Sequence, residues 1–233
     1  MNRDTIKLIA IITMCINHTA HIFLEPDTIL YEILIDIGYF TAITMCYFLV
    51  EGYTYTRSKI TYLQRLLLFA VISQVPYSLA LNTNKLNMLF TLSICFLILI
   101  VIDKISNIPL KILTVVILAA ITYFCDWSIK AALFTVMFSF SKGSKNKMIT
   151  AYIIAFVIFT VESTINYCTL YPLYLAAIHG IMSGTGVIVS GFIILKFYNG
   201  KKAIRFSNLL KWFFYMFYPL HLMVLYLIRS CYL

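Results

Sequence analysis

The chain has 233 residues, of which 62% are hydrophobic and 12% are charged. This balance excludes a disordered chain, a disulfide-stapled secreted domain and an ordinary soluble enzyme, in which about 25% of the residues carry charge. The formal net charge is +9, but the basic residues are not pooled in one patch with interleaved aromatic residues, so nucleic-acid binding is not expected. The composition predicts an integral membrane protein.

Nine apolar segments follow one another along the chain, interrupted by charges, prolines and Asn/Gly clusters. A bilayer core requires roughly 20 apolar residues per helix. The segments cover residues 5–24, 31–51, 61–81, 87–102, 108–125, 127–141, 148–166, 171–195 and 210–230. The first continues beyond the apolar core of a signal peptide and has no small-x-small cleavage site, so we expect it to remain as a span. We predict an all-α fold: one polytopic helical bundle of about nine transmembrane helices, forming a single domain over residues 1–233.

The Lys and Arg residues predict the orientation of these spans. If the N-terminus is cytoplasmic, all of the 18 basic residues except Lys85, Lys130 and Arg229 lie on the inner side. Cytoplasmic loops of membrane proteins carry this excess of positive charge. The sixth span, between Asp126 and Lys142, is the shortest, but the Lys-rich 142–147 loop that follows it favours a full crossing.

All four histidines, His18, His21, His179 and His221, fall inside predicted spans. An ionisable group near the bilayer centre costs about 2.5–3.5 kcal/mol on insertion scales, so each one is a candidate functional residue. The alternative is that each imidazole packs between helices and bonds a neighbour. Steps of three and four residues in the first helix form one stripe: Asp4, Lys7, Ile11, Met14, His18 and His21. No third ligand stands at a diagnostic spacing, so no metal is expected.

Later helices also carry polar residues, prolines or glycines inside their predicted spans. In the third helix, Pro76 has no N–H group to donate, so the carbonyl of Ile72 lacks its usual helical hydrogen bond. The fourth helix starts with Asn87 and Thr91 one turn apart, and its N-terminal dipole would favour developing negative charge. The last helix carries Tyr218, Pro219 and His221. In the eighth span, His179 is followed by Gly180, Gly184 and Gly186, a spacing that predicts close helix contact.

The segment from Lys196 to Lys211 carries five basic residues around Asn199-Gly200. One interpretation is the positive-inside signal together with contact to anionic lipid headgroups. The other is a docking surface for a phosphate-bearing donor, with Glu51 and Arg57 beside it. Both interpretations remain open. The six cysteines lie scattered in apolar runs without CxxC spacing and are interpreted as small hydrophobic residues; a disulfide among Cys125, Cys168 and Cys231 stays open.

Six strings in this order resemble the TraX family of polytopic membrane acetyltransferases. They are DTIKLIAIITMCINH (4–18), FLVEGYTYTRS (48–58), YLQRLLLFAVISQVPYSLA (62–80), LNMLFTL (86–92), YNGKK (198–202) and LKWFFYMFYPLHL (210–222). The resemblance covers nearly the whole chain except residues 103–190. It departs from the family at Asn17-His18, where relatives usually read Asp-His, and at Gly38–Cys46, where relatives more often show an Arg and a Pro.

The resemblance implies an enzyme of a bacterial cell membrane that transfers an acetyl group from acetyl-CoA to the N-terminal amine of an exported peptide or pilin-like protein. On this hypothesis His18 is the general base, and His221 relays the proton or orients the thioester. Asn87, Thr91 and the N-terminus of the fourth helix would stabilise the oxyanion. The CoA phosphates would be held from the cytoplasmic side, and the candidate donor-binding residues are Arg65, Arg57, Lys201, Lys202, Arg205 and Glu51.

Two other functions stay open from the sequence. An O-acyltransferase would use the same chemistry on a hydroxyl of an envelope glycan or lipid. A transporter or flippase would perform no chemistry. Such proteins are typically built from inverted repeats, and neither half of this sequence repeats the other. The oligomeric state is not predicted.

Overall fold

The computed structural model describes residues 1–26, 28–201 and 207–232, apart from the side chains of Ser207, Asn208 and Tyr232. These residues form helices joined by short connections. The helices are α1 (Arg3–Phe23), α2 (Ile29–Tyr55), α3 (Lys59–Leu81), α4 (Met88–Lys104), α5 (Ile108–Ile121), α6 (Ser128–Ser141), α7 (Lys145–Tyr167), α8 (Leu173–Ser183), α9 (Thr185–Phe192) and α10 (Ser207–Tyr232). A 3₁₀ turn, Thr122–Phe124, extends α5, and a π-helical turn, Ile193–Phe197, extends α9.

The all-α membrane fold predicted from the sequence is confirmed. Each predicted span coincides with a helical segment, and the eighth is the run formed by α8, α9 and the π-helical turn. Six segments of the described chain are long and apolar enough to cross a membrane: Arg3–Phe23, Ile29–Tyr55, Lys59–Leu81, Lys145–Tyr167, Leu173–Phe197 and Leu209–Cys231. The other three are shorter, with 17 residues in α4 and 14 each in α5 and α6. The chain is a multi-pass membrane protein.

The chain forms two compact units, which are described separately. Unit 1 comprises Met1–Met45 and Ser141–Ser207, and unit 2 comprises Cys46–Phe140 and Asn208–Leu233. Unit 1 therefore contains α1, the first part of α2, and α7 to α9. Unit 2 contains the rest of α2, then α3 to α6 and nearly all of α10. The prediction of a single domain stays a prediction.

Small residues set the distances between helices in unit 1. A Cβ atom on Gly180 would lie 2.7 Å from the Thr160 carbonyl oxygen of α7. A Cβ atom on Gly186 would lie 2.6 Å from the Asp36 carbonyl oxygen and 2.8 Å from the Phe40 nitrogen of α2. Both distances are far below van der Waals contact, so only glycine allows these backbones to approach so closely. The close helix contact predicted from the glycine spacing is confirmed.

Hydroxyl groups join α1 to α2 in the same unit. The side-chain oxygens of Thr13 and Thr41 are 2.7 Å apart, and the Thr41 hydroxyl donates to the Ala10 carbonyl at 2.6 Å. Nearer the end of α1, the Asn17 amide donates to the Ile35 carbonyl at 3.2 Å. These bonds satisfy polar groups that could not reach water in a membrane, and they fix the register of the two helices.

Two connections close one end of unit 2. The Leu86 N–H donates to the Phe124 carbonyl at 3.0 Å, and the Asp126 N–H donates to the Leu86 carbonyl at 2.7 Å. The short bridge pairs the α3–α4 connection with the segment that joins α5 to α6. According to the predicted orientation this is the outer end. The bridge also holds the α5–α6 turn in place where both neighbouring helices are short.

Candidate functional site

The first helix presents part of its predicted stripe to the interior of unit 1. Asp4, Ile11 and His18 are buried, with His18 only 7% exposed. Lys7 and Met14 are half-buried, while His21 is exposed and its Nδ1 lies 3.1 Å from the Tyr31 hydroxyl. Of the two imidazoles on this helix, His18 is therefore the one enclosed by protein. Its role as a base stays a prediction.

A second imidazole of unit 1 forms a hydrogen bond with a carboxylate that the sequence did not reveal. His179 Nδ1 on α8 is 2.8 Å from Glu32 Oε2 in the first turn of α2. The ring is stacked between Tyr167 at 4.8 Å and Tyr171 at 4.9 Å, measured between ring centroids. One turn along α2, the Asp36 carboxyl accepts a hydrogen bond from Ser183. Side chains from three stretches of the chain thus surround one imidazole.

Asn87, predicted to stabilise an oxyanion, is fully buried in unit 2, and its side chain makes three hydrogen bonds. Its amide nitrogen donates to the Ala70 carbonyl at 2.7 Å and to Gln74 Oε1 at 2.9 Å. Its Oδ1 accepts from the Leu89 N–H and caps α4. Because both amide hydrogens are already bonded, an oxyanion would have to displace one of these partners. The predicted oxyanion role is untested.

Thr91 and Tyr218 lie at the Asp126 turn and the start of α4, and His221 contacts Tyr218. The Thr91 hydroxyl donates to the Asp126 carbonyl at 2.6 Å. The Tyr218 hydroxyl of α10 lies beside the Met88 backbone and within electrostatic range of the Asp126 carboxyl. The ring of Tyr218 also contacts His221, with a distance of 5.7 Å between centroids. Within unit 2, the structure therefore links three of the residues predicted to be catalytic (Asn87, Thr91 and His221) through neighbouring contacts.

The tautomer of His221 follows from its hydrogen bond. Its Nδ1 is 2.9 Å from the Phe217 carbonyl oxygen. Since a carbonyl oxygen only accepts, Nδ1 carries the proton of the neutral ring, and Nε2 is then the basic nitrogen. The ring also stacks on Phe217 at 5.2 Å. This geometry provides a neutral imidazole with a defined acceptor nitrogen, as proton transfer requires.

Burial of the Asp126 side chain raises its pKa from 3.8 to about 6. The Trp127 N–H, which donates to Oδ1 at 3.0 Å, and the ammonium groups of Lys85 and Lys130 act in the opposite direction. Burial prevails because a half-buried carboxylate loses hydration that these partners do not fully replace. Asp126 therefore changes charge within the weakly acidic range.

We expect this shift to make stability depend on pH. Since the folded protein binds the Asp126 proton more tightly than the unfolded chain, the free energy of unfolding should fall as the pH rises from about 4 to about 6. Thermal unfolding in detergent should give a Tm a few degrees lower at pH 7 than at pH 4.5. Other carboxyl groups titrate in this range, so the measurement is the difference between the wild type and Asp126→Asn. Identical pH profiles for the two proteins would contradict the assignment.

Arg65 lies among aromatic rings in unit 2. Its guanidinium carbon is 5.8 Å from the centroid of the Tyr62 ring, and Tyr215 is within electrostatic range. Within residues 1–26, 28–201 and 207–232, the buried Nε of Arg65 has no hydrogen-bond partner. A guanidinium in a membrane helix with an N–H group left unbonded among the described residues is a candidate anion-binding group. Of the other predicted donor-binding residues in this unit, Glu51 is half-buried and Arg57 is exposed.

The N-terminus and the YNGKK segment meet in unit 1. The Met1 ammonium donates to the Phe197 carbonyl at 2.6 Å, and the Arg3 N–H donates to the Lys201 carbonyl at 2.9 Å. Lys201 is exposed. The contact brings the Arg3–Asp4 ion pair, with its atoms 3.6 Å apart, next to a segment that the sequence already marks as basic. Lys202 and Arg205 lie outside the described residues.

The sequence matches a protein-family model described as "TraX protein" over residues 2–229. The match includes α1 to α9 and all of α10 except its last three residues. The chain belongs to the TraX family. It is also 32% identical over 232 residues to the probable fimbrial assembly protein FimC, serogroup H1, of Dichelobacter nodosus, with 94% of this chain and 92% of that protein covered. No solved structure matches this TraX protein.

Proposed function

We propose that this TraX protein is an acetyltransferase of a bacterial cell membrane, which moves the acetyl group of acetyl-CoA to the N-terminal amine of an exported pilin-like protein. The observation that carries the proposal is the enclosed imidazole of His18 on a membrane helix of a chain that belongs to this family. A relative over nearly the full length is named as a probable fimbrial assembly protein, which agrees with a pilin-like acceptor.

The proposed chemistry requires one base and one leaving group. The acceptor nitrogen attacks the acetyl carbonyl, the C–N bond forms, and the C–S bond breaks. His18 takes the proton that leaves the attacking nitrogen and delivers it to the departing CoA thiolate. His221 is the second candidate for this proton, because its Nδ1 bonds the Phe217 carbonyl and its Nε2 is basic.

Binding of the donor is assigned to cationic groups at the predicted inner side. The Nε of Arg65 has no hydrogen-bond partner among the described residues. The Tyr62 ring lies beside the guanidinium, and aromatic rings stack well on this flat, weakly hydrated cation. The other proposed donor contacts are those of Lys201, Lys202, Arg205, Arg57 and Glu51. The alternative, anionic lipid headgroups, would bind the Lys and Arg residues among them without any dependence on CoA.

The function is tested by transfer of radiolabelled acetyl from acetyl-CoA to a peptide with a free N-terminus, with the purified protein in detergent. We expect transfer to this peptide and none to the same peptide with a blocked N-terminus. His18→Ala should reduce the rate by about 10²–10⁴-fold, the usual contribution of a general base. The matched control is His21→Ala on the same helix, which removes an exposed imidazole and should leave the rate unchanged.

The outcomes separate the competing functions. Transfer to a glycan hydroxyl but not to a peptide would favour the O-acyltransferase. Absence of transfer to any acceptor would overturn the acetyltransferase proposal and favour a protein without chemistry. Full activity of His18→Ala would refute the base assignment, and a loss in His221→Ala alone would move that role to His221.

A further inference from the structure

The Glu32–His179 pair has the geometry of a proton acceptor that a carboxylate orients. The separation of 2.8 Å between Nδ1 and Oε2 is that of a charge-assisted hydrogen bond. A carboxylate oxygen accepts, so Nδ1 carries a proton and Nε2 of the neutral ring is the basic nitrogen. The same relation between carboxylate and imidazole orients the base of serine hydrolases. The pair is therefore built to take up one proton at a defined atom.

The surroundings hold the ring and leave it accessible. Tyr167 and Tyr171 stack on the imidazole with interplanar angles of 25° and 15°, which fixes its orientation. The adjacent Gly180 brings α8 against the backbone of α7. Nevertheless the His179 side chain is 22% exposed, compared with 9% for Glu32. An imidazole that only filled space between helices would not need a carboxylate partner and an open edge together.

The charged groups that face this imidazole come from one element, α2. Glu32 contacts it from the first turn of α2, and Asp36, one turn later, lies within electrostatic range. Both are acidic, and they would stabilise positive charge on the ring after a proton has arrived. An arriving ammonium group is attracted by the same carboxylates.

Acetylation of an amine removes two protons, and the proposed function accounts for only one. An α-amino group has a pKa of about 7.7–8.0, so much of it is an ammonium at neutral pH and cannot attack a carbonyl. One proton must leave before the attack, and the second leaves the nitrogen once the C–N bond has formed. A hydroxyl acceptor lacks the first step, because it carries a single proton.

We infer that Glu32 and His179 deprotonate the ammonium of the acceptor before it attacks, an inference that rests on the proposed acetyltransferase function. His179 Nε2 takes the proton from the ammonium and leaves a neutral amine and an imidazolium. The amine attacks the acetyl carbonyl, the C–S bond breaks, and the second proton passes by way of His18 to the CoA thiolate. The imidazolium then releases its proton to water. The sum is an acetylated amine, CoA with its thiol protonated, and one released proton.

The experiment compares His179→Gln and Glu32→Gln with the wild type at two pH values, with an amine-terminated peptide and acetyl-CoA. At pH 6.5 only about 3–6% of the peptide carries a neutral amine, so His179→Gln should reduce the rate by about 15–30-fold. At pH 9 the amine is mostly neutral, so the defect should shrink to a few fold. Glu32→Gln should show the same pH-dependent pattern to a smaller extent. The matched control is His21→Gln, which should follow the wild type at both pH values.

The outcomes distinguish this inference from the proposed function. If the wild type transfers acetyl and the His179→Gln defect is equal at pH 6.5 and pH 9, the residue supports packing and the inference is overturned while the acetyltransferase stands. An unchanged rate in His179→Gln has the same meaning. If the wild type transfers no acetyl to any amine, both proposals fall together.

Discussion

Gly186→Ala is expected to lower the Tm strongly or to prevent recovery of folded protein in detergent. The added Cβ would lie 2.6 Å from the Asp36 carbonyl oxygen, 2.8 Å from the Phe40 nitrogen and 3.1 Å from the Tyr39 Cβ. Two of these atoms belong to the backbone of α2 and cannot turn aside, so α9 and α2 would have to separate. Overpacking of this kind costs about 1–3 kcal/mol and sometimes more. Thermal unfolding followed by circular dichroism measures the effect.

The matched control is Gly52→Ala, which makes the same substitution inside α2. Its nearest neighbour is the Tyr62 hydroxyl oxygen at 3.0 Å, the far end of a side chain that can move by the small distance required. Alanine is favoured over glycine in a helix by about 1 kcal/mol. Gly52→Ala should therefore leave the Tm unchanged or raise it slightly. Equal losses in the two variants would show that the contact at Gly186 does not decide the stability of unit 1.

The helices of this protein could be predicted well from the sequence because the signals that define them are local. Charges and prolines interrupt apolar runs at fixed places, and a bilayer imposes a narrow range of lengths. Even the helix of the short sixth segment was located correctly, since Asp126 and Lys142 bound α6 (Ser128–Ser141) closely. The same holds for Gly186, because glycine at small-xxx-small spacing has one main use in membrane helices.

The partners of the polar groups could not be predicted, since they depend on contacts between distant parts of the chain. The sequence marks His179 as an imidazole in a span, but nothing near it points to Glu32 on another helix. The sequence did contain one indication of a partner for Glu32. This acidic residue lies in the first turn of an apolar helix, so its carboxylate required either a partner or water. The pairing itself appears only when the helices are assembled.

Asn87 shows a second limit of prediction from the sequence. Its position at the start of a helix predicts a polar role, and both a cap and an oxyanion donor are consistent with that position. The structure adds that both amide hydrogens are bonded, one of them to Gln74. The sequence shows Gln74 one turn from Ala70 in α3, but not that both would face the same amide of α4. The number of hydrogens left for a substrate is a property of the assembled site.

Asn87→Ala is accordingly expected to destabilise the protein more than the loss of an ordinary helix cap does. The substitution removes the cap of α4 and leaves the Ala70 carbonyl and Gln74 Oε1 without the amide hydrogens that they accept. A lost cap costs about 1 kcal/mol, and each buried polar group left unsatisfied costs about 1–3 kcal/mol. Gln74 Oε1 keeps the bond from the Asn87 backbone N–H at 3.0 Å, which limits the second penalty. The free energy of unfolding should fall by about 2–4 kcal/mol, measured as a loss of Tm.

Asn107→Ala is the matched control, because Asn107 caps α5 in the same unit with one bond, from the Leu110 N–H to its Oδ1 at 3.0 Å, and is exposed. Its loss should cost about 1 kcal/mol. The two variants then differ by the buried hydrogen bonds alone. If Asn87→Ala keeps the Tm of Asn107→Ala but loses acetyl transfer, the amide acts on the substrate and the bonding that we describe is not its main role. If it loses Tm and the protein that remains folded transfers acetyl at the normal rate per molecule, Asn87 supports the α3–α4 contact and the oxyanion must be stabilised by another group.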